Sequence, residues 1–491
     1  MTANPDTIAA LVLQHFDQLP AKRKPLVRDN GVHEWVPLSG IVAQGKDGKL
    51  TCLSLATGMK CLPHAKLPRA QGNVLHDWHA EVLAIRAFNR FVLDEARLLL
   101  SGGPSASSPF LRWRDESEMR VSSLASSSSS NGDSQERQHQ ERQQQMSEGS
   151  VGATTTGAPK WHAQPFAWRD DVALHMYCSE APCGDASMEL TMAAQDDASP
   201  WEIPASLLSP REEEALPLGP GSNASFSPSS SSSALSTAAA ATAAAQVQTL
   251  GPLPGRAYFS RLGAVRLKPA RADAPPTLSK SCSDKLAQAQ CTSLLGSLAS
   301  LLVCPSGAYL ESVVLPRSQL SDTGCRRAFS GRDRGGRMAA VEPYSDRWQG
   351  GYRFREFEAK ATDHEFKWSK RSVEARVGAE KGRLAASNLA VAWTGHGLEE
   401  ATLGGTIQGR KAFDIKGASF ASRRKLWALS LEIAGMLGLG MVQSREALMS
   451  KTYGEVKRSN LLQARRQVKQ DVQAGALRGW AKNEGDDGFG L

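Results

Sequence analysis

The 491-residue chain is 41% hydrophobic and carries 58 Lys and Arg against 50 Asp and Glu, a net charge of +8. That apolar share can bury a substantial core, which excludes a wholly disordered or fibrous chain, and no run of about 18 residues is uninterruptedly apolar, so no membrane-spanning helix is expected. The basic balance favours a polyanionic partner, of which nucleic acid is the commonest.

In chain order, residues 7–19 carry Ile8, Leu11, Leu13 and Phe16 at helical spacing and predict a first helix. HEWVPLSGIVAQ (33–44) and KLTCLSLATG (49–58) read as a strand pair joined by a turn. HDWHAEV (76–82) then opens an apolar-periodic helix over 80–100. Residues 101–160 turn Ser-, Gln- and Arg-rich, too polar to order themselves, and predict a disordered insertion. DDVALHMYCSEAPCGDASMELTM (170–192) reads as strand, loop and helix. A Ser- and Ala-rich tract over 205–250 and the polar CRRAFSGRDRGGR (325–337) predict two further loop insertions, the latter with arginines able to touch RNA phosphates. RRKLWALSLEIAGML (423–437) and EVKRSNLLQARRQVKQDVQAG (455–475) read as helices with basic faces, by default solvated ones. Ordered segments flank every biased tract. The expectation is one domain over 1–491, an α/β sandwich with a mixed central sheet flanked by helices and a helical C-terminal extension.

MTANPDTIAALVLQHF lacks a basic region followed by an apolar one, so secretion is not expected. In the nucleus or cytoplasm the eight cysteines are core, metal-bound or catalytic rather than disulfide-bonded. Cys178 lies within an apolar strand and reads as a packed thiol, as do Cys52, Cys291, Cys304 and Cys325. His79 and Cys183 each sit at a predicted helix start, where unpaired N–H groups and the dipole favour a thiolate. Zinc deaminases acting on nucleobases carry H-x-E and a later P-C-x-x-C. His79-Ala80-Glu81 and Pro182-Cys183 match, but residue 186 is Ala, so a third ligand has to come from elsewhere, with Cys282 in KSCSDK the best candidate. Alone, His79 reads as a structural histidine and Glu81 as a first-turn acid; the three motifs together favour a zinc centre.

HDWHAEVLAIRAFNRF, YCSEAPCGDASM, VRLKPARADAPPTLSKSCSDKL and QCTSLLGSL resemble the adenosine deaminase domain shared by RNA-editing enzymes and tRNA-specific adenosine deaminases. MKCLPHAKLP and RADAPPT resemble the eukaryotic tRNA branch, whose members convert adenosine 37 of tRNA-Ala to inosine. The resemblance implies a cytidine-deaminase-like fold, with zinc on His79, Cys183 and Cys282 and Glu81 as the proton carrier that turns adenosine and water into inosine and ammonia. It also implies inositol hexakisphosphate held by Arg86, Lys285, Arg423, Tyr453, Lys457, Arg466, Trp480, Lys482 and Asp487. The family's Arg-Trp pair after SCSDK is replaced here by Gln288 and Ala289. Asp77 reads as a helix cap or as a support for the metal ligands, and Lys60 as an RNA contact or a solvated lysine. The expected partner is tRNA, with no membrane and no obligate protein partner. The rival readings are an editor of double-stranded RNA, which usually adds RNA-binding domains for which this chain has no ordered room, and an inactive zinc protein that only binds RNA. A cytidine or free-nucleoside deaminase fits less well, because C-x-x-C is absent.

Overall fold

Residue alternation builds the centre of the molecule. In strands, neighbouring side chains point to opposite faces. Ile41 and Met176 thus join the core on one side of the sheet, and Val42 and Tyr177 the core on the other. In the computed structural model the described residues are 3–491 apart from 104–105, 116, 119–163, 200–252, 256–257, 260, 269–273, 334, 379–382 and 438–441.

The main sheet has eight strands: Leu38–Gln44 (β1), Leu50–Thr57 (β2), Ala173–Cys178 (β3), Leu310–Pro316 (β4), Glu358–Thr362 (β5), Leu389–Thr394 (β6), Glu399–Leu403 (β7) and Thr406–Ile407 (β8). Their spatial order is β5-β4-β3-β1-β2-β6-β7-β8. β3, β4 and β5 run parallel to one another, and the remaining pairs are antiparallel. Helix α1 (Pro5–Gln18) is capped by the Asn4 side chain and buries Ile8, Ala9, Val12 and Phe16 against one face. Helices α2 (Ala80–Ser101) and α3 (Cys282–Thr292) belong to the core on the opposite face. α4 (Asp322–Phe329) follows β4; near the C-terminus α5 (Arg423–Met436) packs on α2, and α6 (Gln463–Ala474) on α3. This is the mixed α/β sandwich with a helical C-terminal part that the sequence predicts. No helix among the described residues is long and apolar enough to cross a membrane.

Two expectations need correction. Residues 325–337 are not a flexible insertion. The described residues among them belong to α4, the bends after it and the start of a short helical turn at Arg337–Val341, with Cys325, Ala328 and Phe329 buried. The arginines that look like a solvated run are partners of buried acids: Arg327 pairs with Asp185 and Glu189, and Arg337 with Asp284. Residues 455–475 are not one helix. The chain breaks at Ser459, whose ψ of 140° is not helical and whose hydroxyl accepts from the Leu461 amide, which separates Tyr453–Arg458 from α6. Of the other expected insertions, 205–250 lies outside the described residues. So does most of 101–160, but Leu111–Trp113 within it pairs with Phe166–Trp168 and buries Leu111.

Candidate metal centre and active site

Three chain segments converge beside the C-terminal end of β3. His79 caps α2, Ser281 caps α3 just ahead of Cys282, and Cys183 lies in the turn before the short helix Met188–Ala193. One donor atom from each of His79, Cys183 and Cys282 lies within 4.8 Å of the other two. His79 Nδ1 is 3.8 Å from Cys183 Sγ, and the Cys282 amide donates to that sulfur at 3.3 Å. Gly184 makes the approach possible. Its φ is +105°, and a Cβ there would come within 2.3 Å of Ser281 Oγ. Glu81, two residues beyond His79 on the first turn of α2, is buried beside this group.

The electrostatics fit a cation. The Cys183 thiol is held well below its usual range, first by the hydrogen bond from Cys282 and then, against burial, by Lys268 and His79. Burial and the neighbouring Cys183 push Cys282 well above it. Burial alone would lower the His79 imidazole, but the Cys183 thiolate raises it to about 10. Burial, and then Cys183, also raise the Glu81 carboxyl above its usual range, which favours its protonated form more than in an exposed glutamate. The Cys183 thiolate beside the Cys282 thiol and the His79 imidazole gives one nitrogen and two sulfurs, a three-ligand zinc set that leaves a position open and that would release the Cys282 proton on binding the metal.

Cys61, Asp77 and His79 also bring donor atoms within 4.8 Å of one another. Asp77 is already engaged, however. Its Oδ1 accepts from the His79 amide at 3.0 Å, and its Oδ2 from Lys268 Nζ at 2.8 Å, Ser279 Oγ at 2.7 Å and Lys285 Nζ. Asp77 therefore positions its neighbours, and through Lys268, which also donates to Cys282 Sγ at 3.2 Å, it reaches a thiol of the cluster. A cavity of about 520 Å³ opens onto His79 and Cys183, with Met59, Lys60 and Pro63 on its wall. Lys60 is bonded there to Asn388.

Behind Asp77 lies a second cavity of about 550 Å³, lined by ten Lys and Arg side chains and three carboxylates. Of the residues named from the sequence, Arg86, Lys285, Arg423, Lys457, Arg466, Trp480, Lys482 and Asp487 line it. Tyr453 does not; it lines an adjoining recess of about 230 Å³ together with Gln288 and Ala289, its ring 5.5 Å from the Arg423 guanidinium. The cations crowd one another. Burial and then Arg423 lower Arg86 to about 10, burial and then Lys285 lower Lys280 to about 8, and burial with Arg465, Lys457 and Arg423 takes Lys469 well below its usual range. Such a lining fits a compact polyanion.

A sequence model of the adenosine-deaminase (editase) domain matches residues 54–164 and 133–484. The chain belongs to that family. The tRNA-specific adenosine deaminase 1 of Schizosaccharomyces pombe is 28% identical over 484 residues, covering 98% of this chain and 95% of its own. The protein of the same name from Saccharomyces cerevisiae is 27% identical over 314 residues, 63% and 58% of the two chains, and the human one 24% over 463 residues, 79% of each.

Within this editase domain, several supports of the site escape a reading of its motifs. Lys268 lies in VRLKP, where nothing in the sequence separates it from the neighbouring Arg266. Asp185 and Asp284 each lie two residues past a cysteine of the cluster, and both are fully buried. Asp284 accepts from Arg337 at 2.7 Å, from Ser281 Oγ at 2.6 Å and from the Arg266 amide at 3.0 Å. Asp185 accepts from the Gly263 amide at 2.7 Å and from Arg327 at 3.1 Å. Cys61 and, in the cationic cavity, Lys280, Arg458, Arg465 and Lys469 were likewise not singled out.

Proposed function

We propose that the chain is a zinc-dependent deaminase that converts adenosine to inosine in tRNA, at position 37 of tRNA-Ala. The convergence of His79, Cys183 and Cys282 beside the buried Glu81 carries this reading. The names of the relatives, tRNA-specific adenosine deaminases of fungi and animals, supply the substrate. His79, Cys183 and Cys282 would hold the zinc, which supplies Lewis-acid activation of water when bound. Glu81 takes a proton from the attacking water on a carboxylate oxygen and passes it to adenine N1, then takes the second proton from the hydroxyl added at C6 and gives it to the amine, which leaves as ammonia. Its raised pKa suits both directions of transfer. The target adenosine has to leave the stack of its loop to enter the cavity that opens onto His79 and Cys183. The cationic cavity would hold inositol hexakisphosphate as a structural ligand, with Arg86, Lys285, Arg423, Lys457, Arg466, Lys469 and Lys482 facing its phosphates.

The test is inosine formation on total tRNA, read by sequencing the anticodon loops, with the wild type and Glu81→Ala. Inosine next to the anticodon of tRNA-Ala from the wild type alone supports the reading. Folded, zinc-loaded wild type that leaves all tRNA unchanged refutes it.

A further inference from the structure

Two segments outside the catalytic cavity form one basic surface beside its mouth. The first runs from Pro63, on the cavity wall, through His64–Lys66 and Leu67–Ala70. The second is the loop 408–417 that follows β8. They are locked together: the Leu75 amide donates to Gly405 O at 3.0 Å, Asn73 donates to Phe413 O at 3.2 Å, and the Arg69 guanidinium lies 4.5 Å from the centre of the Phe413 ring. Lys66, Arg69, Arg410, Lys411 and Lys416 are all exposed there, and among the described residues none of them has an ion-pair partner. The acid within the loop, Asp414, caps its last turn, accepting from the Lys416 amide at 2.8 Å, and forms no ion pair with these five side chains. Five unneutralised cations on a braced surface are unlike an ordinary solvated face, where both signs intersperse.

We propose that this surface docks the phosphate backbone of the substrate RNA and sets how the target loop enters the cavity. The inference rests on the tRNA reading above. Phosphates can approach cations fixed on packed segments without ordering a loop, and the contact carries no sequence information. Recognition of the tRNA body is thus separate from the chemistry at Glu81.

The experiment uses the full-length, zinc-loaded protein and a tRNA-Ala transcript. Binding is measured by fluorescence anisotropy over a series of salt concentrations, and deamination under steady-state conditions. Lys411→Ala/Lys416→Ala should lower the slope of log affinity against log salt by about 1.5, which at 0.15 M salt is a loss of affinity of about 10- to 30-fold. KM should rise by the same factor with kcat unchanged. Lys66→Ala/Arg69→Ala, on the other segment, should do the same, so one badly folded variant does not decide the matter. Lys46→Ala/Lys49→Ala, which removes equal charge from the distant turn between β1 and β2, should leave slope and KM unchanged. If both docking variants keep the wild-type slope, or the distant pair weakens binding equally, the surface is not the docking face. A wild type that neither binds nor deaminates tRNA overturns the substrate reading itself, and this is visible before any variant is made.

Discussion

Arg337→Ala is the sharpest test of how the proposed zinc centre is held. Arg337 and Asp284 are buried, with 6% and 0% of their side chains exposed, and they meet at 2.7 Å. Removing the guanidinium leaves a buried carboxylate without its cation, a change that typically costs about 3–5 kcal/mol. Asp284 keeps the Ser281 hydroxyl and the Arg266 amide, so the low end, about 3 kcal/mol, is the better figure. With roughly 2 cal/mol/K of unfolding entropy per residue, a chain of this length should melt about 3 °C lower. The loss should also reach the metal, because Asp284 accepts from the hydroxyl of Ser281, the cap that starts the helix of Cys282. Zinc should pass faster to a chromogenic chelator. Removing both charges, in Arg337→Met/Asp284→Asn, should recover most of the stability, since the penalty lies in the unpaired charge rather than in the missing contact. The assays are thermal melting of the zinc-loaded protein and the rate of metal release. A single variant that melts with the wild type, or a double variant worse than the single, would refute the reasoning.

Lys268→Met removes the ammonium shared by Asp77 and Cys282; zinc affinity should fall about 10- to 100-fold, measured by competition with a chelator. His175 is buried between Ser312 and Gln44, and burial followed by Lys360 lowers it to about 4. The unfolded chain therefore takes up this proton first as the pH falls from about 6.5 to 4, so stability is lost on acidification, by about 2 kcal/mol at pH 5. His175→Gln should lose less on going from pH 7 to pH 5 than the wild type in melting experiments; an equal loss would exclude His175 as the source. Lys469→Met removes a crowded cation with no partner among the described residues. It should raise the melting temperature of ligand-free protein and shrink the stabilisation by added inositol hexakisphosphate, which reaches about 2.7 kcal/mol at a hundredfold excess over Kd. Stabilisation unchanged from the wild type would argue against a phosphate at Lys469.

What the sequence made legible depended on how each residue's role is encoded. The sheet and its flanking helices follow from apolar periodicity, which acts over a few residues, and α2 could be read from HAEVLAIRAF alone. The three clustered donors were legible because each sits in a short motif at an element start, where backbone geometry narrows the residue types allowed. Lys268, Arg327 and Arg337 were not, because their meaning is set by partners far along the chain: Asp77 lies 191 residues from Lys268, and Asp185 lies 142 residues from Arg327. The misreading of 325–337 has the same origin. A run of arginines looks solvated until the buried acids it neutralises are found, and a glycine-rich, polar composition cannot reveal them. Here those acids sit two residues past Cys183 and Cys282. The segment that reads as a polar loop therefore braces both thiol-bearing turns, and shortening it should weaken binding of the proposed zinc before it unfolds the sheet.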